Sequence, residues 1–174
     1  MAVMDAVRIG TAGWAIPRAV ADAFPSEGTG LQRYAARFDC AEINTSFYRP
    51  HKPVIWRRWR DATPDGFRFA VKVPKAITHE ARLVGTEALL DGFLAQAREL
   101  GPKLGPLLVQ LMPSLPFDAG VAEAFFAALR ERFGGAVVVE PRHGSWFEAE
   151  AQALLVRHRV ARVAADRKST RLNS

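Results

Sequence analysis

Short apolar runs alternate with longer segments of helical periodicity along most of the chain. Between the runs, apolar positions recur every three to four residues, as at Leu31, Tyr34 and Phe38. Alternation of this kind predicts βαβ units and a parallel sheet. The runs expected to form strands are residues 6–9, 40–44, 67–73, 106–111, 136–140 and 160–165.

The segments between these runs predict helices over residues 31–38, 54–60, 87–100, 119–133 and 147–159. Asp118 is expected to cap the fourth of them, because an aspartate oxygen accepts a bond from an early amide that has no helical partner. Gly134 and Gly135 are expected to end it. The apolar run Val137-Val138-Val139 is typical of a strand covered on both faces of the sheet.

The pattern gives about five βα units and the start of a sixth. A closed barrel of eight units needs about 250 residues, and this chain has 174. An open, doubly wound sheet is complete with fewer units. The hydrophobic pattern therefore leaves both architectures open.

Composition and charge narrow the class of protein. The apolar content is 49%, and the chain has a single cysteine, Cys40. No apolar run is long enough to span a membrane, and the first residues lack a secretory signal, so a cytoplasmic protein is expected. The net charge of +6 is a reason to consider nucleic acid as a partner. However, Arg167, Lys168 and Arg171 supply three of these charges near the end of the chain, and a solvated surface is the favoured interpretation.

The last nine residues differ from the rest of the chain. Residues 166–174 have neither helical nor strand periodicity, and they resemble the translation of a sequencing-library adapter. We therefore predict one incomplete domain over residues 1–165 and a non-native tail over 166–174. A native basic terminus is the alternative, and Asp166 fits either part.

Polar side chains cluster where the predicted strands end, which is where parallel β/α folds bind ligands. The candidate catalytic residues are Glu42, His79, Glu140 and His143. Two carboxylates can divide acid and base work, and an imidazole transfers protons near neutral pH. The candidate substrate-binding residues are Trp14, Asn44, Tyr48, Lys72, Gln110, Arg142 and Trp146. The alternative is that Lys72 only neutralises a buried glutamate, and that Trp14 and Trp146 only fill the core.

Known cofactor motifs give no support for a nucleotide or metal site. Gly10 and Gly13 lack a dinucleotide fingerprint and a Walker lysine, and they are expected to permit a tight turn. Histidines and carboxylates occur without a metal-ligand spacing, so no metal site is predicted and the cofactor stays unassigned. Ser46, Ser114 and Ser145 lack the glycine context of a nucleophile elbow.

The motifs at the strand ends resemble those of the YecE-like family, also called domain of unknown function family 72. The matching segments are residues 10–14, 42–49, 67–72, 78–79, 108–111 and 140–146. The resemblance implies a TIM-barrel-like fold, a length greater than this chain, and a bacterial or archaeal cytoplasmic protein. It also implies that Asn44 and Gln110 are among the recurrent polar positions of the family, together with the other polar candidates named above. Ala12, where the family often has serine, and Met112, where it often has proline, are departures.

These observations together predict a barrel enzyme of unassigned reaction that acts on a small polar or anionic substrate. A barrel that binds or processes nucleic acid is the second hypothesis, and a non-catalytic small-molecule sensor is the third. No membrane partner is expected, and the sequence does not predict the oligomeric state.

Overall fold

The structure is a computed structural model that describes residues 7–165. The predicted tail over residues 166–174 lies outside the described residues. Residues 7–165 contain six strands: β1 (Gly10–Ala12), β2 (Cys40–Ile43), β3 (Arg68–Lys72), β4 (Leu104–Gln110), β5 (Val137–Glu140) and β6 (Val160–Arg162). The same described part of the chain holds five α-helices: α1 (Gly30–Ala35), α2 (Pro53–Asp61), α3 (Glu87–Ala97), α4 (Ala119–Arg132) and α5 (Ala149–Arg157).

The strands form one sheet in which spatial order follows chain order, from β1 to β6. The neighbours β1–β2, β2–β3, β4–β5 and β5–β6 are all parallel. A helical segment therefore separates each of these strands from the next, as the alternating pattern predicts. The described chain divides into two compact units. One holds the residues up to Lys72 together with Ala95–Gly105, and the other holds Val73–Leu94 and the residues from Pro106 onward.

An aromatic core stabilises the first unit. Tyr34 of α1 is 2% exposed and stacks on Phe38 at a centroid distance of 4.7 Å. Its hydroxyl accepts a bond from Thr11 N–H at 2.7 Å and donates to Cys40 O at 3.1 Å, which ties α1 to the start of the sheet. Helix α1 itself begins with a capping box between Thr29 and Gln32.

The predicted position of the first strand is wrong. Residues 7–9 are not in a strand, and β1 starts at Gly10, which pairs with Cys40. A Cβ atom at Gly10 would lie 2.1 Å from Cys40 O, so only glycine permits this approach of the two backbones. Hydrophobicity marked residues 6–9, but this backbone contact determines where pairing begins.

Helix α3 ends earlier than predicted and continues as the 3-10 segment Arg98–Lys103. Within that segment Gly101 has a φ of 55°, and Pro102 follows it. Lys103, at its end, is only 6% exposed, and its ammonium donates to carbonyl oxygens of Arg60 and Thr63. A sequence-local pattern does not predict this buried lysine, because its acceptors lie about forty residues away along the chain.

Helices α4 and α5 pack against each other in the second unit, and α5 also packs against β6. Asp118 accepts a bond from Val121 N–H at 2.9 Å, so the predicted cap of α4 is confirmed. Phe125, Phe126 and Leu129 of α4 are at most 2% exposed and form its buried face. Within residues 7–165, no helix is long and apolar enough to cross a membrane.

Candidate functional site

A contiguous polar cluster lies at the carboxyl ends of β4 and β5. Gln110 and Glu140 are register partners at the last position of their strands. Gln110 Nε2 donates to Glu140 Oε2 at 3.0 Å, and Arg142 donates to Glu140 Oε1 at 3.0 Å. The Glu140 and Arg142 side chains are 15% and 17% exposed. Each oxygen of the carboxylate therefore has its own donor, which fixes the orientation of the group.

The arginine of this cluster is less completely bonded than the glutamate. Arg142 Nε is buried, and no acceptor within residues 7–165 is bonded to it. A buried donor that lacks a partner costs about 1–3 kcal/mol. Such groups are rare in folded proteins, and each one calls for a physical explanation. A ligand oxygen at this position would supply one.

The residues that follow Arg142 form a chain of directed hydrogen bonds. Phe117 N–H donates to Ser145 Oγ at 2.7 Å, and Ser145 Oγ lies 2.8 Å from His143 Nδ1. Ser145 N–H also donates to His143 Nδ1, at 3.2 Å. His143 thereby caps the 3-10 segment Gly144–Phe147. Sequence reasoning considered Ser145 only as a nucleophile and missed this role, although a serine two residues after a histidine can bond to it locally.

The segment that carries His79 has an unusual backbone. Residues Ala76–Glu80 form a single π-helical turn, a feature that is frequent at functional sites. His79 Nδ1 lies 2.8 Å from the hydroxyl of Thr78, which is fully buried. Arg82 and Leu83 follow with φ values of 50° and 71°, which is strained for side-chain-bearing residues.

Interactions on either side stabilise this strained backbone. Leu83 is 3% exposed, and its N–H donates to Ile77 O at 3.0 Å. The Arg82 guanidinium donates at 2.8 Å to the backbone oxygen of Ser114, a residue in the loop after β4. The segment that presents His79 is thus determined by packing and by hydrogen bonds within the second unit.

The first unit holds its own polar strand ends. Glu42 and Lys72 are half-buried residues of β2 and β3. The Lys72 ammonium lies 4.2 Å from the centroid of the Phe47 ring, within range of a cation–π contact. Ser46 Oγ is 3.0 Å from Ile43 O and 2.7 Å from Lys72 O, so the loop after β2 is attached to the end of β3.

The remaining candidates of the first unit are packed to different degrees. Asn44 is half-buried and directly follows β2. Tyr48 is 69% exposed, so its ring has an open face. Trp14 contacts Trp59 and Phe69 edge-on, at centroid distances of 5.4 Å and 6.2 Å. Trp14 therefore joins a packed aromatic group, which favours the core interpretation while leaving part of its ring accessible.

Trp146 in the second unit is a core residue in this structure. It is 1% exposed, its ring contacts Phe117 edge-on at 5.1 Å, and its Nε1–H donates to Leu115 O at 3.0 Å. Its faces are covered, so it offers no stacking surface in this arrangement.

The structure thus brings Gln110, Glu140 and Arg142 into direct contact and places His143 directly after them. Among residues 7–165, no group of three or more histidine, cysteine, aspartate or glutamate side chains is arranged to hold a metal ion.

The sheet of parallel strands, the covering helices and the polar strand ends define a TIM-barrel-like α/β protein. The chain belongs to the family described as "Protein of unknown function DUF72", whose model matches residues 8–174. The resemblance in the strand-end motifs is therefore confirmed, and the barrel rather than the open doubly wound sheet is the correct architecture.

Known relatives support this assignment. The chain is 36% identical over 120 residues to the UPF0759 protein YecE of Escherichia coli (strain K12), which covers 68% of this chain and 43% of that protein. A solved DUF72 family protein of Thermotoga maritima MSB8 aligns with a TM-score of 0.72 and 26% identity, over 91% of this chain and 64% of that one. One from Enterococcus faecalis V583 aligns with a TM-score of 0.71 and 21% identity, over 89% and 59%. The chain thus spans less than two thirds of the length of these relatives.

Proposed function

We propose that the chain forms part of an enzyme that binds a small anionic substrate at the carboxyl end of β5. The observation that carries this proposal is the buried Nε–H of Arg142, which has no acceptor within residues 7–165. A guanidinium presents its donors in a planar fork that fits carboxylate and phosphate oxygens. One side of the fork is bonded to Glu140, and Nε–H has no acceptor within residues 7–165; because it is buried, the Arg142 side chain has to shift when a ligand oxygen binds.

Glu140 is the proposed acid or base of this site. Gln110 and Arg142 fix its two oxygens, so the carboxylate has a defined direction relative to a ligand bound by Arg142. Positioned carboxyl groups contribute to catalysis by exchanging protons with the reacting group. Gln110 is the proposed positioning residue for this carboxylate.

His79 is the proposed proton carrier of the same unit. Its Nδ1 is bonded to the buried Thr78 hydroxyl, which restricts rotation of the ring. Strain in the Arg82–Leu83 backbone supports a functional role for this segment, because strained backbone persists mainly where function requires it. Glu42 is proposed as a further carboxylate and Lys72 as a further anion-binding group of the complete enzyme.

Inorganic phosphate is a direct probe of the proposed anion site. Binding to the chain is measured by calorimetry for the wild type, Arg142→Gln and Arg58→Gln. Arg58 is an exposed arginine of α2 and serves as the matched control. We expect Arg142→Gln to weaken binding about tenfold, the size of one hydrogen bond to a charged acceptor. Equal affinity in the two variants would refute the proposal.

Turnover requires a second experiment, in which small carboxylates and phosphate esters are screened for chemical change by NMR. A substrate found in this way is then tested with Glu140→Gln, which is expected to bind it and not convert it. Full turnover by Glu140→Gln would refute the catalytic role. Ligand-dependent stabilisation without conversion of any compound would favour the sensor hypothesis.

A further inference from the structure

The hydrogen bonds around His143 determine which of its ring nitrogens carries the proton. A backbone N–H can only donate, so the 3.2 Å contact from Ser145 N–H makes His143 Nδ1 an acceptor. The second contact agrees with this direction. Ser145 Oγ accepts from Phe117 N–H at 2.7 Å, which leaves its own hydrogen to donate to Nδ1 at 2.8 Å.

A neutral imidazole has one N–H group, and an accepting Nδ1 places that hydrogen on Nε2. We propose that His143 is held as the Nε2–H tautomer and serves as a hydrogen-bond donor to an oxygen of the ligand, instead of as a proton acceptor. This inference rests on the proposed anion site and deepens it. Among residues 7–165, the hydrogen bonds described above for the His143 ring are made by Nδ1, and the residue is half-buried.

The assignment narrows the class of ligand. Arg142 supplies only donors, because a guanidinium has no acceptor atom. With His143 fixed as a donor, both consecutive residues after Pro141 offer N–H groups. The part of the ligand that reaches this end of β5 therefore carries acceptor oxygens, as in a carboxylate, a phosphate or a carbonyl group, and not an ammonium group.

Capping alone requires only Nδ1, and this fact allows the two roles of His143 to be separated. Asparagine is among the best capping residues, and its side-chain oxygen can accept from Ser145 N–H as Nδ1 does. It has no group at the position of Nε2. His143→Asn is thus expected to retain the cap and stability while losing the donor.

The tautomer is measured without any ligand, by long-range ¹H–¹⁵N correlation NMR at a pH where imidazoles are neutral. The chain has four histidines, and the signals that vanish in His143→Asn identify this one. We expect a protonated Nε2 and an unprotonated Nδ1. A proton on Nδ1, or one shared between the two nitrogens, would overturn the inference and leave the role of Arg142 intact.

Phosphate titration then tests the donor role. We expect the Nε2–H signal to move on addition of inorganic phosphate, and His143→Asn to bind phosphate about tenfold more weakly. Unchanged affinity in His143→Asn would overturn the donor role. If Arg142→Gln also bound phosphate normally, the proposed anion site itself would fail, so the two failures are distinguishable.

Discussion

Two cations removed from bulk water show opposite patterns of bonding. Lys103, in the first unit, is 6% exposed, and three oxygen acceptors surround its ammonium: Arg60 O at 2.6 Å, Thr63 O, and Thr63 Oγ1 at 3.3 Å. An ammonium has three hydrogens, so Lys103 is saturated. Arg142, in the second unit, is 17% exposed, and its buried Nε–H has no acceptor within residues 7–165.

The comparison distinguishes a cation whose hydrogen-bonding capacity is used within the protein from one that keeps an unbonded donor, which we propose binds a ligand. Lys103 stabilises the end of α2 by donating to carbonyl groups, and its bonding capacity is used up. Arg142, at the end of β5, is also positively charged. It bonds to the carboxylate of Glu140, and its Nε–H has no acceptor within residues 7–165. Saturation of hydrogen bonds, rather than charge or burial alone, distinguishes the two sites.

The largest expected effect is on Lys103. Lys103→Met removes the donor for Arg60 O and Thr63 O and should lower the free energy of unfolding by about 3 kcal/mol, because buried acceptors lose their partner. Urea unfolding followed by tryptophan fluorescence measures the change. Lys75→Met is the control, since Lys75 forms an exposed ion pair with Glu80 and such pairs contribute little. Equal losses in the two variants would contradict the structural role of Lys103.

A smaller loss is expected at Ser145, whose hydroxyl joins the loops after β4 and β5. Ser145→Ala leaves Phe117 N–H without its acceptor and should destabilise the chain by about 1 kcal/mol. Ser114→Ala, at an exposed position in the same loop as Phe117, should have almost no effect. If both alanine variants had the same urea midpoint, the hydrogen bond from Phe117 N–H to Ser145 Oγ would not contribute to stability.

Glu140→Gln tests the proposed anion site at Arg142, and its expected effect on phosphate affinity is opposite to that of Arg142→Gln. Removal of the carboxylate ends its repulsion of a bound anion, so phosphate affinity should rise about fivefold. Calorimetry checks this against Glu131→Gln, an exposed position of α4. Weaker phosphate binding by Glu140→Gln would show that the carboxylate helps to hold the anion, contrary to the account.

The smallest expected effect concerns His51, whose surroundings favour the neutral form of the imidazole. Burial, and secondarily the positive charge of Arg49, lower the pKa of His51 below its ordinary value of 6.5. The unfolded chain then binds the proton more readily than the folded chain. The contribution of neutral His51 to the free energy of unfolding is therefore fully present above pH 6.5, and it is lost as the pH falls from 6.5 through the lowered pKa. Melting temperatures across this range should fall more for the wild type than for His51→Gln. Parallel curves would exclude this contribution.

Much of the fold follows from local patterns. Apolar runs and apolar alternations locate β2 to β6 within a few residues, because the positions of a strand that helices cover need apolar side chains. The cap at Asp118 follows from residue type alone. The position of β1 does not follow, since it depends on the contact between Gly10 and Cys40 rather than on hydrophobicity.

The candidate site is predictable as a set of strand-end residues but not as a pattern of bonds. Glu140 and Arg142 are both predicted at this strand end, but their ion pair is not, because the sequence indicates Lys72 instead as the partner of a buried glutamate. The attachment of Gln110 to Glu140 requires the register of β4 and β5, which the sequence does not specify. The bond from Ser145 N–H that determines the tautomer of His143 is local, but the contact from Phe117, 28 positions from Ser145, that supports the same direction is not predictable from a local pattern.

The most direct test of the central claim observes the Nε–H of Arg142 by ¹H–¹⁵N NMR while inorganic phosphate is added to the chain. The signal is assigned by its loss in Arg142→Gln. The account predicts a saturable downfield shift of this proton, as expected when it donates to a charged oxygen, with no corresponding shift at Arg58. A signal that stays in place up to phosphate concentrations that shift exposed arginines would contradict it.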